Sequence, residues 1–339
     1  MQINRRQFTA SAAALLASSA LAIPARAQEK TKVRFATDWL AQGAHGGYYQ
    51  ALADGTYDKM GLEVEIVQGG PQVNARPLLA AGKVDFLMVG NLLLPFDDVR
   101  NGLPVKVVAA HSQKDPQIFL AHKGVYKSFD DLVNAPKILL SKDGQFSYWK
   151  WMVQAKGFKD EQVAPYGYSM APFFADNALV QQGYAISEPY EAEREGVEVD
   201  SWLLADNGWN TYSNMVQTTD AMIAERPEVV QAFVDASNIG WYNYLYGDAK
   251  PGMDAIIASN SDQSVERLIW ESEAMRKLGI VDSGDSETYG IGAMTAERIK
   301  SFYDLCVSAG VLEAGSVDPA AIADLSFVNK GVGLDLRKI

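Results

Sequence analysis

Cysteine, histidine and positive charge are all scarce in this sequence of 339 residues. The single cysteine, Cys306, cannot form an internal disulfide, so the fold must be held by its core. Cys306 sits in a helical pattern with apolar neighbours and reads as a small buried hydrophobe rather than a nucleophile. The three histidines, His45, His111 and His122, fall in separate segments without metal-ligand spacing, so no metal is expected. Lys and Arg number 30 against 42 Asp and Glu, a net charge of −12. Without a basic cluster there is nothing to neutralise phosphates, which argues against nucleic acid and anionic membrane as partners. A Gly-x-Ser-x-Gly elbow, a His-Glu-x-x-His pair and a phosphate loop ending in Gly-Lys-Ser/Thr are also missing.

Long apolar runs are absent as well. Residues 10–23 make a run of about 14, short of the roughly 20 that span a bilayer, and are rich in Ala and Ser. Arg5-Arg6 precede this run and Ala25-Arg26-Ala27 follow it, so residues 1–27 read as a twin-arginine export signal cleaved after Ala27. Removing its three arginines takes the net charge to −15.

What is present is enough apolar material, 48% of residues, to bury a sizeable core divided between two lobes. From Lys32 short apolar runs alternate with helical patterns. Strands are expected at residues 33–37, 62–67, 85–89 and 105–110. Helices are expected at 48–60, from Gly69-Gly70-Pro71 through Ala80, and at 92–100. After Pro116 the cycle restarts, with strands at 118–121, 137–141, 184–186 and 202–205 and helices at 129–132, 144–157, 171–182 and 188–195. From Tyr212 one further strand is followed by helices, with Pro227 at an early helical position.

This alternation implies an α/β fold with two mainly parallel mixed sheets flanked by helices. The expected organisation is lobe 1 at 28–114 and 213–339, with lobe 2 at 115–212 inserted into it. Sheets of this kind gather ligands beyond the carboxyl ends of their strands, which directs attention to loops 38–47, 68–72, 90–91 and 111–117.

The first of these loops is unusual. In "DWLAQGAHGGYYQA" (38–51), Trp39, Tyr48 and Tyr49 could stack on a flat ring, His45 could bond a ring nitrogen, and two glycines allow close backbone approach. One of the two tyrosines must point into the core. Gly69-Gly70 before a helix could cradle an anion, or simply turn the chain. In "SEPY" (187–190), Glu188 could face the cleft and accept from an exocyclic amine, or cap its helix. In "GQFSY" (144–148) a helix start carrying Gln145 and Ser147 points toward the same cleft, or is an ordinary cap.

The stretches "DWLAQGAHGGYYQALADGTYDKMGLEVEIVQGG", "LLAAGKVDFLMVGN", "GYAISEPYEAEREG" and "TTDAMIAERPEVVQAFVDA" together resemble the nitrate/sulfonate/taurine and thiamine-pyrimidine-precursor group of type II periplasmic binding proteins. The likeness covers nearly all of the mature chain, and the opening loop is more similar to the pyrimidine-precursor branch. The resemblance implies a periplasmic, monomeric Venus-flytrap receptor that delivers a small molecule to an ABC transporter permease. It further implies that Trp39 stacks on the ligand ring, His45 lines the same wall, and Asn91 bonds at the third strand's end. Glu188 would face the ring from the other lobe with Tyr190 beside it. Tyr49, Gln145 and Ser147 complete the expected ligand set. The ligand would be a heteroaromatic such as a thiamine pyrimidine precursor. The alternative is an aliphatic sulfonate, taurine, nitrate or aromatic carboxylate, for which Arg76 would be the counter-ion. The family also contains a pyrimidine synthase using lysine-bound pyridoxal phosphate and a cysteine-rich iron motif. Here no Lys lies between Asp38 and Lys59 and there is one Cys, so no cofactor and no catalysis are expected.

Overall fold

The first strand of the chain shows how the pattern becomes structure. In Thr31–Ala36, Val33 and Phe35 point inward while Lys32 and Arg34 stay outside, the period-two alternation of a half-covered strand. The computed structural model describes residues 29–70 and 73–338, so the expected signal at 1–27 lies outside the described residues. Thr31–Ile339 forms one compact unit.

Among the described residues the strands are β1 (Thr31–Ala36), β2 (Leu62–Val67), β3 (Phe86–Asn91), β4 (Val105–Ser112), β5 (Gln117–His122), β6 (Ile138–Leu140), β7 (Val163–Pro165), β8 (Val180–Tyr184), β9 (Val199–Leu203) and β10 (Ser213–Thr219). They form two five-stranded sheets, ordered β2-β1-β3-β10-β4 and β7-β6-β8-β5-β9. In the first, β1 lies parallel to β2 and β3, and β10 runs antiparallel between β3 and β4. In the second, β6 is parallel to β7 and β8, while β5 is antiparallel to β8 and β9. Both sheets are thus mixed, with helices covering them.

Register fixes where the sheets meet. Asn91, Ser213 and Ser112 sit side by side at one end of the first sheet. Gln117 pairs with Tyr184, and Ile118 with Leu203, at one end of the second. The two crossovers, residues 113–116 and 204–212, join these ends, so the two edges face each other across a cleft. Arg298 braces both crossovers: it donates to the Gln113 carbonyl, to Gln113 Oε1 at 3.1 Å and to Asn210 Oδ1 at 2.8 Å, and lies 4.1 Å over the Tyr212 ring. Lys114 pairs with Asp206 at 2.7 Å in the same place.

The first lobe packs around the helix Pro227–Tyr246. Its Phe233 stacks on Phe86 at 4.2 Å and on Tyr57 at 5.4 Å. The helix Gly46–Ala53 lies so close to it that a methyl group on Gly240 would strike the Gly47 carbonyl, and one on Gly47 would enter the Trp241 ring. The second lobe centres on Trp151 and Trp209, whose rings are 5.6 Å apart.

Several local expectations change. Residues 171–182 are not one helix: a five-residue helix, Ala171–Ala175, is followed by strand β8, whose Gln181 and Gln182 are buried. Their polarity hides the strand from an apolar pattern. The helix expected at 48–60 divides at Asp54-Gly55, where Gly55 takes φ +76°, and the one at 144–157 divides at Ser147. Gly69-Gly70 does not open a helix, since the next helix begins at Arg76.

Candidate functional site

The cleft wall contributed by the first lobe is the loop after β1, and its backbone is pinned from several sides. Thr37 Oγ1 donates to the Trp39 carbonyl at 2.8 Å, Ala41 N donates to Gln68 Oε1 at 2.8 Å, and Asn260 Nδ2 donates to the Ala41 carbonyl at 2.8 Å. Gly43 N donates to Glu271 Oε2 at 2.8 Å. Gly69 packs directly on the backbone of Thr37 and Asp38, leaving no room for a side chain. These ties hold Trp39 and Leu40 out toward solvent, each 36% exposed.

His45 is fully buried. Its Nε2 lies 3.3 Å from Asp38 Oδ1, and its Nδ1 has no hydrogen-bond partner among the described residues. Tyr48 points into the core, its hydroxyl 2.9 Å from His111 Nδ1, while His111 Nε2 lies 2.9 Å from Asn238 Oδ1. The Asn238 oxygen can only accept, which assigns the proton to Nε2 and makes Tyr48 the donor to Nδ1. Burial pushes the His111 pKa down to about 4, so this imidazole stays neutral. Tyr49 is also buried. The two glycines of the loop serve packing rather than exposure, Gly46 against the Tyr244 ring and Gly47 against Trp241.

Asn91, half-buried at the end of β3, uses Oδ1 to accept at 3.0 Å from the N–H of Leu93, the first residue of the following helix. Arg76 turns away from any ligand role. It is bonded to Asp97 at 3.2 Å and to Asp98, and the buried Asp98 also accepts from Gln217 Nε2 at 3.0 Å.

The facing edge belongs to the second lobe. After β6, Ser141 Oγ accepts from Gly144 N at 3.1 Å and caps the helix Lys142–Phe146. Gln145 and Ser147 are half-buried there, with Gln145 Nε2 3.4 Å from the Leu140 carbonyl, and between them Phe146 stands 72% exposed. After β7 come Tyr166 and Tyr168, 5.2 Å apart, with Tyr168 67% exposed on a backbone at φ +57°.

After β8 the Glu188 carboxylate folds back on its own lobe. Oε2 accepts from Tyr184 N at 2.7 Å and Oε1 from the Tyr166 hydroxyl at 2.9 Å. Gly183 lies beneath it, where a side chain would press on the carboxylate. Burial raises the Glu188 pKa, offset by these donors. Tyr190 lies on the helix Glu188–Arg194, its ring 5.4 Å from Trp270 and 5.6 Å from the Arg267 guanidinium.

The structure therefore groups Trp39, His45 and Asn91 on one edge and Gln145, Ser147 and Glu188 on the other. It sets Tyr190 against the helix Val265–Leu278 and Tyr49 in the core. Sequence patterns did not point to Phe146, Tyr166 or Tyr168, the last two because strand β7 is too short and mixed to announce the loop behind it. Carboxylates of both lobes come together where the edges meet. The Tyr184 phenol is pushed up first by burial and then by Asp115, Asp38 and Glu188, so the carboxylates of both lobes act on one ring. Asp115, buried in the first crossover, has its pKa raised to about 7 by desolvation. Among the described residues no three His, Cys, Asp or Glu side chains gather as a metal site. Burial raises the Cys306 thiol, which favours the unreactive form.

Such an arrangement can stack and orient a planar molecule. Comparison with known proteins places it among relatives. A riboflavin-binding protein, RibY, from Chloroflexus aurantiacus is 29% identical over 286 residues, covering 78% of this chain and 80% of its own. The periplasmic aliphatic sulphonate binding protein SsuA of Escherichia coli superposes with a TM-score of 0.62 at 13% identity, over 86% of this chain and 92% of its own. The desulfurization enzyme DSZB shares the fold as well, with a TM-score of 0.58 at 12% identity over 88% of this chain and 97% of its own. The two mixed sheets and the two crossovers are those of a type II periplasmic binding protein. The NMT1/THI5 like family matches residues 42–248, well over half of the chain, and the protein belongs to that family.

Proposed function

We propose that this protein is the solute-binding component of an ABC importer, working outside the cytoplasm as a monomer and handing its ligand to a membrane permease. The ligand is a flat, nitrogen-bearing heteroaromatic. The observation that carries this reading is the pairing of exposed rings with carboxylates at the facing edges: Trp39 and Asp38 on one, Phe146, Tyr168 and Glu188 on the other. Rings of this kind supply stacking and apolar burial, and the polar groups orient the guest.

Electrostatics favours a neutral or amine-bearing guest over an anion. A unit charge 4 Å from a carboxylate near the protein surface is worth about 4 kcal/mol, unfavourable for sulfonate, nitrate or carboxylate. Arg76, the counter-ion the anion reading needs, already holds two aspartates. Within the heteroaromatic class, an aminopyrimidine of the thiamine-precursor type suits Glu188 and His45. The RibY relative supports a larger flavin ring on the same platform. Catalysis is not part of this reading: the buried hydroxyl and imidazole of Tyr48 and His111 bond each other in the core, away from solvent.

The test is a thermal-shift and calorimetry panel of aminopyrimidines, flavins, sulfonates, nitrate and aromatic acids. A ligand present at a hundred times its Kd adds about 2.7 kcal/mol to stability. Stabilisation by a pyrimidine or a flavin is the expected result. Stabilisation by sulfonates or nitrate alone would refute the proposed ligand class, and turnover of any bound compound would refute the binding role.

A further inference from the structure

The helix Val265–Leu278 touches both facing edges. From its first turn Arg267 Nε donates to Glu271 Oε1 at 2.8 Å. Glu271 is 2% exposed, and its other oxygen accepts from Gly43 N in the loop that carries Trp39. The same guanidinium reaches the opposite lobe: Nη2 donates to Ser187 Oγ at 3.2 Å, Nη1 stands 3.7 Å from Glu191 Oε1, and the Tyr190 ring lies 5.6 Å away. On the same helix, Trp270 Nε1 donates to Glu193 Oε2 at 3.0 Å. A line of bonds thus runs from the backbone of the first-lobe loop, through Glu271 and Arg267, to the turn that carries Glu188.

We propose that Arg267 and Trp270 form a latch holding the two lobes closed, with Glu271 coupling it to the loop at residues 38–45. What the latch retains is a ligand only on the binding-protein reading above. Its chemistry suits a contact that opens and closes. The crossovers are covalent and can only bend, whereas this contact is polar and edged by a groove of about 430 Å³ that Tyr190, Arg194, Asp262 and Arg267 line. A guanidinium has five N–H donors, so Arg267 keeps its bond to Glu271 when the lobes part and gives up only Ser187 and Glu191. Partly exposed pairs of this sort shift an equilibrium by a few-fold, the scale on which a reversible two-state device is tuned. Arg267 is then a positioning residue for ligand retention.

The test separates latch from fold. Arg267→Ala would strand the buried Glu271, so the informative variant is Ser187→Ala combined with Glu191→Ala, which cuts only the second-lobe side. Ser187 caps no backbone amide with its side chain. Labels on Glu63→Cys and Lys150→Cys, one exposed site on each lobe, report lobe separation by energy transfer in the ligand-free protein, with Cys306 buried and unlabelled. The closed-to-open ratio should fall about three-fold in the double variant. Melting should stay unchanged, and Trp270→Phe, which removes the indole N–H bonded to Glu193 and trims the ring packed on Tyr190, should move the ratio the same way. Identical distance distributions in parent and variants, or a parent that is entirely open, would overturn the latch. Because no ligand enters this measurement, a ligand panel without hits would count against the proposed function alone. Where a ligand is found, its dissociation should quicken in the double variant with the association rate nearly unchanged.

Discussion

The two edges of the cleft are held in place by different means. The first-lobe loop is fixed by buried polar ties to Gln68, Asn260 and Glu271 and by glycines pressed on aromatic rings, so Trp39 stands on a stiff base. On the second lobe a single carboxylate, Glu188, gathers Tyr166 and the Tyr184 backbone, while Phe146 and Tyr168 stand exposed. One wall is therefore preformed and the other adaptable. In such a pair the stiff wall selects ring shape, and the soft wall accommodates what the ring carries.

The strongest way to break this contrast is Gly240→Ala. The added methyl would collide with the Gly47 carbonyl and with Ala51, backbone and short groups that cannot swing away. Overpacking of this kind costs on the order of 3 kcal/mol, and chemical denaturation should show it with loss of the preformed wall. Next comes pH at the junction between the lobes. Asp115 has a folded pKa of about 7 against 3.8 unfolded, so the native state holds a proton that the unfolded chain has released, and stability falls as pH rises from about 4 to about 7. His111, at about 4 against 6.5, acts in the opposite sense: stability is lost as pH falls from 6.5 to 4. The two nearly cancel in the parent. Asp115→Asn should gain on the parent progressively up to pH 7, by on the order of a few kcal/mol. His111→Gln should leave a protein more stable at pH 5 than at pH 7. Melting curves across pH 4 to 8 decide both.

Glu188→Ala addresses the softer wall. It leaves the Tyr184 N–H and the Tyr166 hydroxyl without their acceptor, at a cost of about 2 kcal/mol, while Glu188→Gln keeps an acceptor and should cost less than half of that. Faster hydrogen exchange at the Tyr184 amide in the alanine variant, and not in the glutamine one, would locate the loss.

The alternating strand and helix pattern was enough to read the class of fold and most elements, because β3, β4 and β5 carry plain apolar runs and β1 alternates apolar with charged residues. Strand β8 escaped because Gln181 and Gln182 are buried through sheet and side-chain packing that no local pattern encodes. At the site, Trp39 was legible as an aromatic in a loop at a strand end. That the glycines serve Trp241 and Tyr244 was not, since those partners lie some 195 residues away, and the burial of His45 against Asp38 depends on the same packing. Arg267 and Glu271 carried no signal at all, being an ordinary i, i+4 pair on a helix.

The smallest effects sharpen the contrast between the walls most finely. Trp39→Ala should leave melting unchanged, because the side chain is a third exposed and its backbone ties stay, yet should weaken ligand binding roughly ten-fold or more through the lost stacking platform. Phe146→Ala, on the free wall, should cost only a few-fold, because an unsupported ring must give up its own motion to stack. Arg76→Ala should change affinity less than two-fold, since its charge is spent on Asp97 and Asp98. Titration calorimetry of the three variants with one ligand gives the ranking. If Phe146→Ala costs more than Trp39→Ala, the second lobe is the wall that selects the ring, and stiffness in the unliganded structure is no guide to where affinity resides.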